Sequence, residues 1–275
     1  MQILTRDSLI DTIGKVLILA YKEPTEALEQ YFLQEGFVCE VCRQENKPEY
    51  QEFSSSYRVL LNHCNAWEQA KKASTFTLIV EADFAPVRQF ARLPLPFPKD
   101  NPDVGVSWIY NCAPQVYWVS PEGYAEGFSV STVAYIVTPK GAECLLELAA
   151  RIERKTGGKV YSAWDSEIDT VLRSYKLVNF IPFRNYGEHG GIPNPEHRQH
   201  GLSPGHQADV LWGDLALKPL YSDRDNIFSI RFKARLKGIG RLLLGRFLRK
   251  GTLQNTSTPW RLIRFAFFRQ FTLRI

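Results

Sequence analysis

Short, uninterrupted apolar runs alternate with stretches of helical periodicity through most of the chain. Residues 16–20 (VLILA) lie between Gly14 and Pro24; residues 25–34 follow with Ala27, Leu28, Tyr31 and Phe32 at helical spacing, then Gly36 and a second run over 37–42. That order predicts a β-α-β opening. Ser54, Ser55 and Ser56 are good N-caps for a helix over about 57–73, which feeds an apolar strand at 76–80. Further apolar runs at 104–110, 116–119, 133–137 and 177–181 predict strands, with a helix from Lys140 to about Lys155 between the last two. Strands separated by helices predict an α/β domain with a mainly parallel sheet flanked by helices on both faces.

The rhythm breaks twice. Residues 187–205 hold so many Gly and Pro that a long loop is expected; it carries His189, His197 and His200, with His206 just beyond. From Asn226 onward, Phe232, Leu236, Ile239, Leu243 and Phe247 recur at spacings of three and four, with Arg231, Arg235, Arg246 and Arg249 mostly off that stripe. Beyond a break at 251–259, Trp260, Ile263, Phe267 and Phe271 repeat the pattern among Arg261, Arg264, Arg269 and Arg274. This is the signature of basic amphipathic helices, and the chain divides into a body, 1–223, and a C-terminal tail, 224–275.

Charge sharpens that division. The chain of 275 residues carries a formal +5, but residues 1–223 hold 21 Lys and Arg against 28 Asp and Glu, whereas the tail holds 13 against Asp225 alone. A basic tail with an apolar stripe suits an anionic membrane surface. The alternatives are that the stripe docks on the acidic body, or that the tail binds nucleic acid, for which no recognised motif speaks; no specific nucleic acid is expected. With 44% hydrophobic residues a core is assured and disorder is excluded as the main state. Five cysteines, with Cys39 and Cys42 lacking a second such pair, argue against a disulfide scaffold or a zinc site and for a reducing compartment. No run of eighteen apolar residues occurs, and Arg6, Asp7, Asp11 and Lys15 break any leader pattern, so a cytoplasmic protein is expected.

The most informative stretch is residues 77–86, TLIVEADFAP. If the extended conformation persists, Glu81 and Asp83 point the same way at a strand's carboxyl end, where α/β sheets bind ligands and paired carboxylates suit a hard divalent ion. The alternative is that Glu81 caps a helix and Asp83 begins a turn before Pro86.

Several residues in order resemble the family 25 glycosyltransferases, which include lipopolysaccharide and lipooligosaccharide galactosyltransferases. They are Ser55 and Ser56, Leu61-Asn62-His63 with Trp67 four residues on, the strand closing in Glu81 and Asp83, Ala134-Tyr135-Ile136-Val137 followed by Lys140-Gly141-Ala142 and Leu145-Leu146, and Trp164-Asp165. The resemblance spans roughly residues 14–190. Ala82 stands where the family has a middle acid, Asn62 where it has Ser, and Ala20-Tyr21-Lys22 where it has spaced arginines, with no arginine before Arg43 in that region.

The resemblance implies a GT-A-like, Rossmann-type fold and transfer of a hexose, galactose first, from a UDP-linked donor to a saccharide or lipid-linked acceptor in surface-glycan synthesis. It implies inversion in one displacement and a divalent metal, Mn²⁺ or Mg²⁺, on Glu81 and Asp83. His63, Ser55, Ser56 and Tyr21 would border the nucleotide-sugar donor. His63 and Trp67, four apart, equally suit core packing, with His63 bonded to a nearby backbone group. His189, beside Gly190-Gly191, is the loop histidine best placed to add a neutral imidazole to the metal, the alternative being a lid of solvated histidines. The catalytic base would come from SAWDSEIDTVL: Asp165 first, Glu167 second, Asp169 third, on a helix that Ser162 caps, where acids also serve the helix dipole. Such an enzyme would lie at the inner face of the cytoplasmic membrane. A non-catalytic, nucleotide-sugar-binding or scaffolding relative is the alternative that the substituted acidic triplet permits.

Overall fold

The computed structural model describes residues 7–191 and 206–271; His197 and His200 lie outside the described residues. The chain runs β1 (Ile13–Ala20), α1 (Glu26–Gln34), β2 (Cys39–Arg43), α2 (Ser55–Lys71), β3 (Phe76–Glu81), β4 (Phe84–Pro86), β5 (Val104–Trp108), β6 (Gln115–Val119), β7 (Ala125–Phe128), β8 (Ala134–Val137), α3 (Pro139–Thr156), α4 (Ile168–Ser174), β9 (Val178–Ile181), β10 (Gly187–His189), α5 (Ile227–Leu243), α6 (Lys250–Asn255) and α7 (Pro259–Gln270).

Eight strands form one mixed sheet in the order β2-β1-β3-β8-β5-β9-β7-β6. Six share a direction, and β7 and β8 run against them. Alternation along each strand supplies two cores. Leu17, Leu19, Ile79, Tyr135 and Val137 face α2, α3, α4 and α7, while Val16, Ile18, Leu78, Val80 and Ile136 face α1 and the segment after β4. Because both faces are covered, the central positions of β1, β3 and β8 are apolar on both sides and read as unbroken apolar runs.

Local signals set the helices. Thr138 Oγ1 accepts from Gly141 N at 2.9 Å, Pro139 opens α3, and Gly157, at φ +58°, closes it. Gly141 also permits close packing, since a Cβ there would stand 2.3 Å from the Gly105 carbonyl oxygen of β5. Ser54 Oγ accepts from Tyr57 N at 3.2 Å, so α2 starts at Ser55, slightly earlier than expected.

The loop expected over 187–205 begins with regular structure, because Gly187 to His189 pair antiparallel with Phe84 to Pro86. The tail packs on the body with an unexpected orientation. The buried face of α5 is Arg231, Ala234, Arg235 and Gly238, while Phe232, Leu236 and Leu243 of the expected stripe stand exposed and Phe247 beyond the helix is buried. Buried acids of the body explain the inversion. Arg231 pairs with Glu188 and donates to the Ala208 carbonyl at 2.8 Å. Arg269 of α7 grips Asp209 at 2.7 and 3.2 Å and donates to the carbonyls of Pro182 and Phe183. Asp209 also accepts from Asn185 and Gln270, and although burial alone would raise its pKa, Arg269 and these donors hold it below the usual carboxylate range.

Arg269→Met would strand a buried carboxylate and is expected to cost about 3–5 kcal/mol of stability. Adding Asp209→Asn should recover part of that loss in a urea titration. Single and double variants melting like the parent would refute the clamp.

Candidate active site

The connection from β1 runs one way along the sheet to β2, while the chain leaving β3 runs the other way towards β5. No loop need cross between the carboxyl ends of β1 and β3, and such a switch point leaves a crevice. An open cleft lies there, lined by Leu19, Ala20 and Tyr21 at the end of β1, Val59, Asn62 and His63 from α2, Glu81, Ala82 and Asp83 at the end of β3, and by Glu23 and Gln44.

Strand alternation does not bring the two acids there. The strand ends at Glu81, and Ala82 and Asp83 form a turn into β4, pinned by Ala82 N donating to the Leu19 carbonyl at 2.9 Å. Glu81 Oε1 accepts from Thr132 Oγ1 at 3.2 Å and lies 3.5 Å from His63 Nε2. Asp83 Oδ2 is 3.1 Å from His189 Nε2, and its buried Oδ1 has no partner.

His63 is fully buried and bonds a side chain, not the expected backbone group. Trp67 Nε1 donates to Tyr135 Oη at 2.7 Å, and Tyr135 Oη lies 2.8 Å from His63 Nδ1. The indole has no acceptor to offer, so the phenol proton is best used on Nδ1, which leaves Nε2 carrying hydrogen towards Glu81. The ring of Trp164 packs on both His63 and Trp67.

His189, expected as a neutral metal ligand, lies directly against Asp83. Nε2 faces Asp83 and Nδ1 faces the His206 carbonyl at 3.1 Å, so each nitrogen is placed to donate. Burial alone would lower its pKa, but Asp83, Glu81 and Glu188 outweigh it and lift the value from 6.5 to about 9. In this arrangement His189 is the ion-pair partner of Asp83. Gly191 makes room for the pair, since a Cβ there would stand 2.1 Å from Asp83 Oδ2.

The other expected residues separate into groups. Tyr21 lines the cleft, and the nearest arginine, Arg43, is spent on the Glu23 carbonyl and Thr25. Ser55 and Ser56 lie outside the lining; Ser56 Oγ accepts from Ser162 N at 3.0 Å and its carbonyl accepts from Trp164 Nε1, so it braces the start of α2. Ser162 caps no helix: Trp164–Glu167 is a 3-10 turn ahead of α4. Asp169 is buried and held by Asn179 and Tyr117 at 2.9 and 3.0 Å, a structural arrangement. Glu167 precedes α4 without a capping bond and lies outside the cleft lining. Asp165 also lies outside the cleft lining, but burial, with the charge of Glu81 adding to it, pushes its pKa from 3.8 up to about 6. Asn62 had no assigned role, yet Nδ2 donates to the Ala20 carbonyl while its buried Oδ1 lines the cleft without a partner.

Three lining residues, Glu23, Glu81 and Asp83, are acidic and none is Lys or Arg. Among the described residues no group of three or more His, Cys, Asp and Glu side chains forms a metal cage. The unpartnered Asp83 Oδ1 with Glu81 fits a hard divalent cation that takes its remaining ligands from water and phosphate oxygens. Tyr135→Phe would leave Trp67 Nε1 and His63 Nδ1 unpaired, and a loss of about 1–3 kcal/mol is expected in guanidinium unfolding. No loss would mean that the phenol does not organise this end of α2.

No family model matches the chain, and no curated protein matches it. Two solved structures share limited similarity. One is a glycosyltransferase involved in the glycosylation of the major capsid of PBCV-1, with 13% identity, 60% of this chain and 80% of that chain covered, and a TM-score of 0.42. The other is a mutant of the Drosophila β-1,4-galactosyltransferase 7 in complex with manganese, UDP-Gal and xylobiose, with 13% identity, 68% and 74% coverage, and a TM-score of 0.36. Likeness at this level bears on neither the donor nor the metal of this chain.

Proposed function

We propose that the cleft binds the diphosphate of a nucleotide sugar through a divalent cation and that the protein is a GT-A-like glycosyltransferase. The observation that carries this reading is the gathering at the crevice between β1 and β3 of Glu81 with two residues whose buried oxygens, Asn62 Oδ1 and Asp83 Oδ1, have no hydrogen-bond partner. Buried polar atoms without partners are costly, and a ligand with donors, acceptors and a bound cation satisfies them. An acidic cleft lined by no Lys or Arg repels a bare diphosphate, which supports a cation as the bridge.

In this reading Glu81 and Asp83 would hold Mn²⁺ or Mg²⁺, which when bound supplies charge neutralisation on the leaving diphosphate. The protonated His189 offsets part of the acidity behind it. Asn62 Oδ1 accepts a hydroxyl or ring N–H of the nucleoside, and Tyr21 borders it. Asp165 is the base that takes the acceptor hydroxyl's proton, since a carboxylate titrating at about 6 is mostly ionised at neutral pH and more basic than an exposed one. The sequence resemblance favours a UDP-hexose, galactose first, with inversion at the anomeric carbon and a saccharide acceptor in lipopolysaccharide or other surface-glycan synthesis.

Calorimetric titration with UDP tests the site. Binding is expected with Mn²⁺, absent in EDTA, and at least about tenfold weaker in Asp83→Asn, as the loss of one charged ligand implies. Cation-independent binding, or none at all, would sink the reading.

For the base, turnover should rise with pH through about 6, because only the ionised carboxylate accepts a proton. Asp165→Asn is expected to lower turnover by about 10²-fold or more with UDP affinity unchanged. Since the folded pKa lies above the unfolded value of 3.8, ionised Asp165 costs stability as pH rises past 4, fully above 6. The variant should therefore gain about 1–2 kcal/mol at pH 8 and nothing below pH 4. A variant that keeps both its turnover and its acid limb would remove Asp165 from the chemistry.

A further inference from the structure

The tail helices present an outward surface unlike the rest of the molecule. Among the described residues all six exposed Phe and Trp side chains belong to α5, α7 or the residue after α7: Phe228, Phe232, Trp260, Phe267, Phe268 and Phe271. On α5, Phe228, Phe232 and Leu236 recur every four residues, and the rings of Phe228 and Phe232 stack at 6.3 Å. On α7 the separation is sharper. Leu262, Phe265, Ala266 and Arg269 are buried, whereas Trp260, Ile263, Phe267 and Phe271 fall on the opposite side at 40–72% exposure.

Charge accompanies these apolar stripes. Residues 227–271 contain no Asp or Glu and eleven Lys and Arg. Arg231, Arg235 and Arg269 are buried against the body, which leaves Lys233 and Lys237 exposed on α5 and Arg261 and Arg264 exposed on α7. The acids that could have neutralised the tail from below, Glu188 and Asp209, are already spent on Arg231 and Arg269. A surface of aromatic side chains interspersed with exposed cations complements a layer that is apolar inside and negatively charged at its face. A second copy of the chain would bring cations against cations, and nucleic acid leaves the aliphatic and aromatic stripes without a partner.

We propose that the outer faces of α5 and α7 dock the protein onto an anionic lipid surface, the rings entering the headgroup region and the exposed Lys and Arg meeting lipid phosphates. The docking lies outside the cleft and needs no nucleotide, so it stands or falls separately from the transferase reading. No helix among the described residues is long and apolar enough to cross a membrane, so the contact is with the surface.

Co-sedimentation of the full chain with vesicles of phosphatidylcholine alone, and of phosphatidylcholine with about a third phosphatidylglycerol, reads it directly. The full chain should pellet with the anionic vesicles, at least tenfold more strongly than with the neutral ones, and lose that binding at high salt. Trp260→Ser with Phe267→Ser, and separately Arg261→Gln with Arg264→Gln, should each weaken it tenfold or more without changing the melting temperature, since these side chains contact solvent. Phe232→Ser with Leu236→Ser on α5 repeats the test should α7 unfold. Absence of pelleting, or pelleting indifferent to all three pairs, overturns the proposal. So does a dimer in light scattering that the same pairs dissolve, or binding to a DNA duplex as tight as to anionic vesicles.

Discussion

The carboxyl ends of β1 and β3 lie side by side while their chains depart in opposite directions, and the cleft depends on that divergence. Parallel strands end with their last residues at one edge, so Leu19 and Glu81, register partners, open together onto the same space. α2 adds Asn62 and His63 from its middle. Glu81, Asn62 and His63 are carried by β3 and α2, whose buried apolar residues belong to the two cores, while Tyr21, Glu23, Gln44 and Asp83 come from the connections after the strands.

Electrostatics decides what the cleft can accept. Glu81 and Asp83 each meet a histidine, but in different ways. His63 is aligned by the Trp67–Tyr135 relay and directs one nitrogen at Glu81 from a dry core. His189 comes from the far side of the turn on β10, held by strand pairing, and neutralises Asp83 through an ion pair. One oxygen of Asp83 is thereby engaged and the other left unpartnered.

The tail reverses the usual arrangement of an amphipathic helix on a globular body. Burial of guanidinium groups is favourable only where a carboxylate and carbonyls replace water, and the body supplies these at Glu188 and Asp209. Once Arg231 and Arg269 are committed inward, the geometry of a helix turns the aromatic stripes outward. Because Glu188 is bonded to His189 N and precedes it on β10, the Arg231 pair also braces the strand that reaches Asp83.

Much of this was legible in the amino-acid order. The apolar runs of β1, β3, β5, β8 and β9, the caps of α2 and α3, and the basic amphipathic tail follow from local periodicity and capping chemistry, which act over a few residues and leave their mark on them. Glu81 and Asp83 stood out because two acids close a buried apolar strand, whereas Tyr21 and His63 were singled out through the family resemblance alone. What local pattern could not contain was anything set by partners distant in the chain. The direction of β8, the pairing of β10 within a Gly-rich stretch, the proton on His189, the Tyr135 bond to His63 and the inward turn of Arg231 and Arg269 are each decided by a group tens of residues away. Periodicity marks which helix face differs from the other; only the folded body, by placing Glu188 and Asp209 under the tail, decides which face turns in.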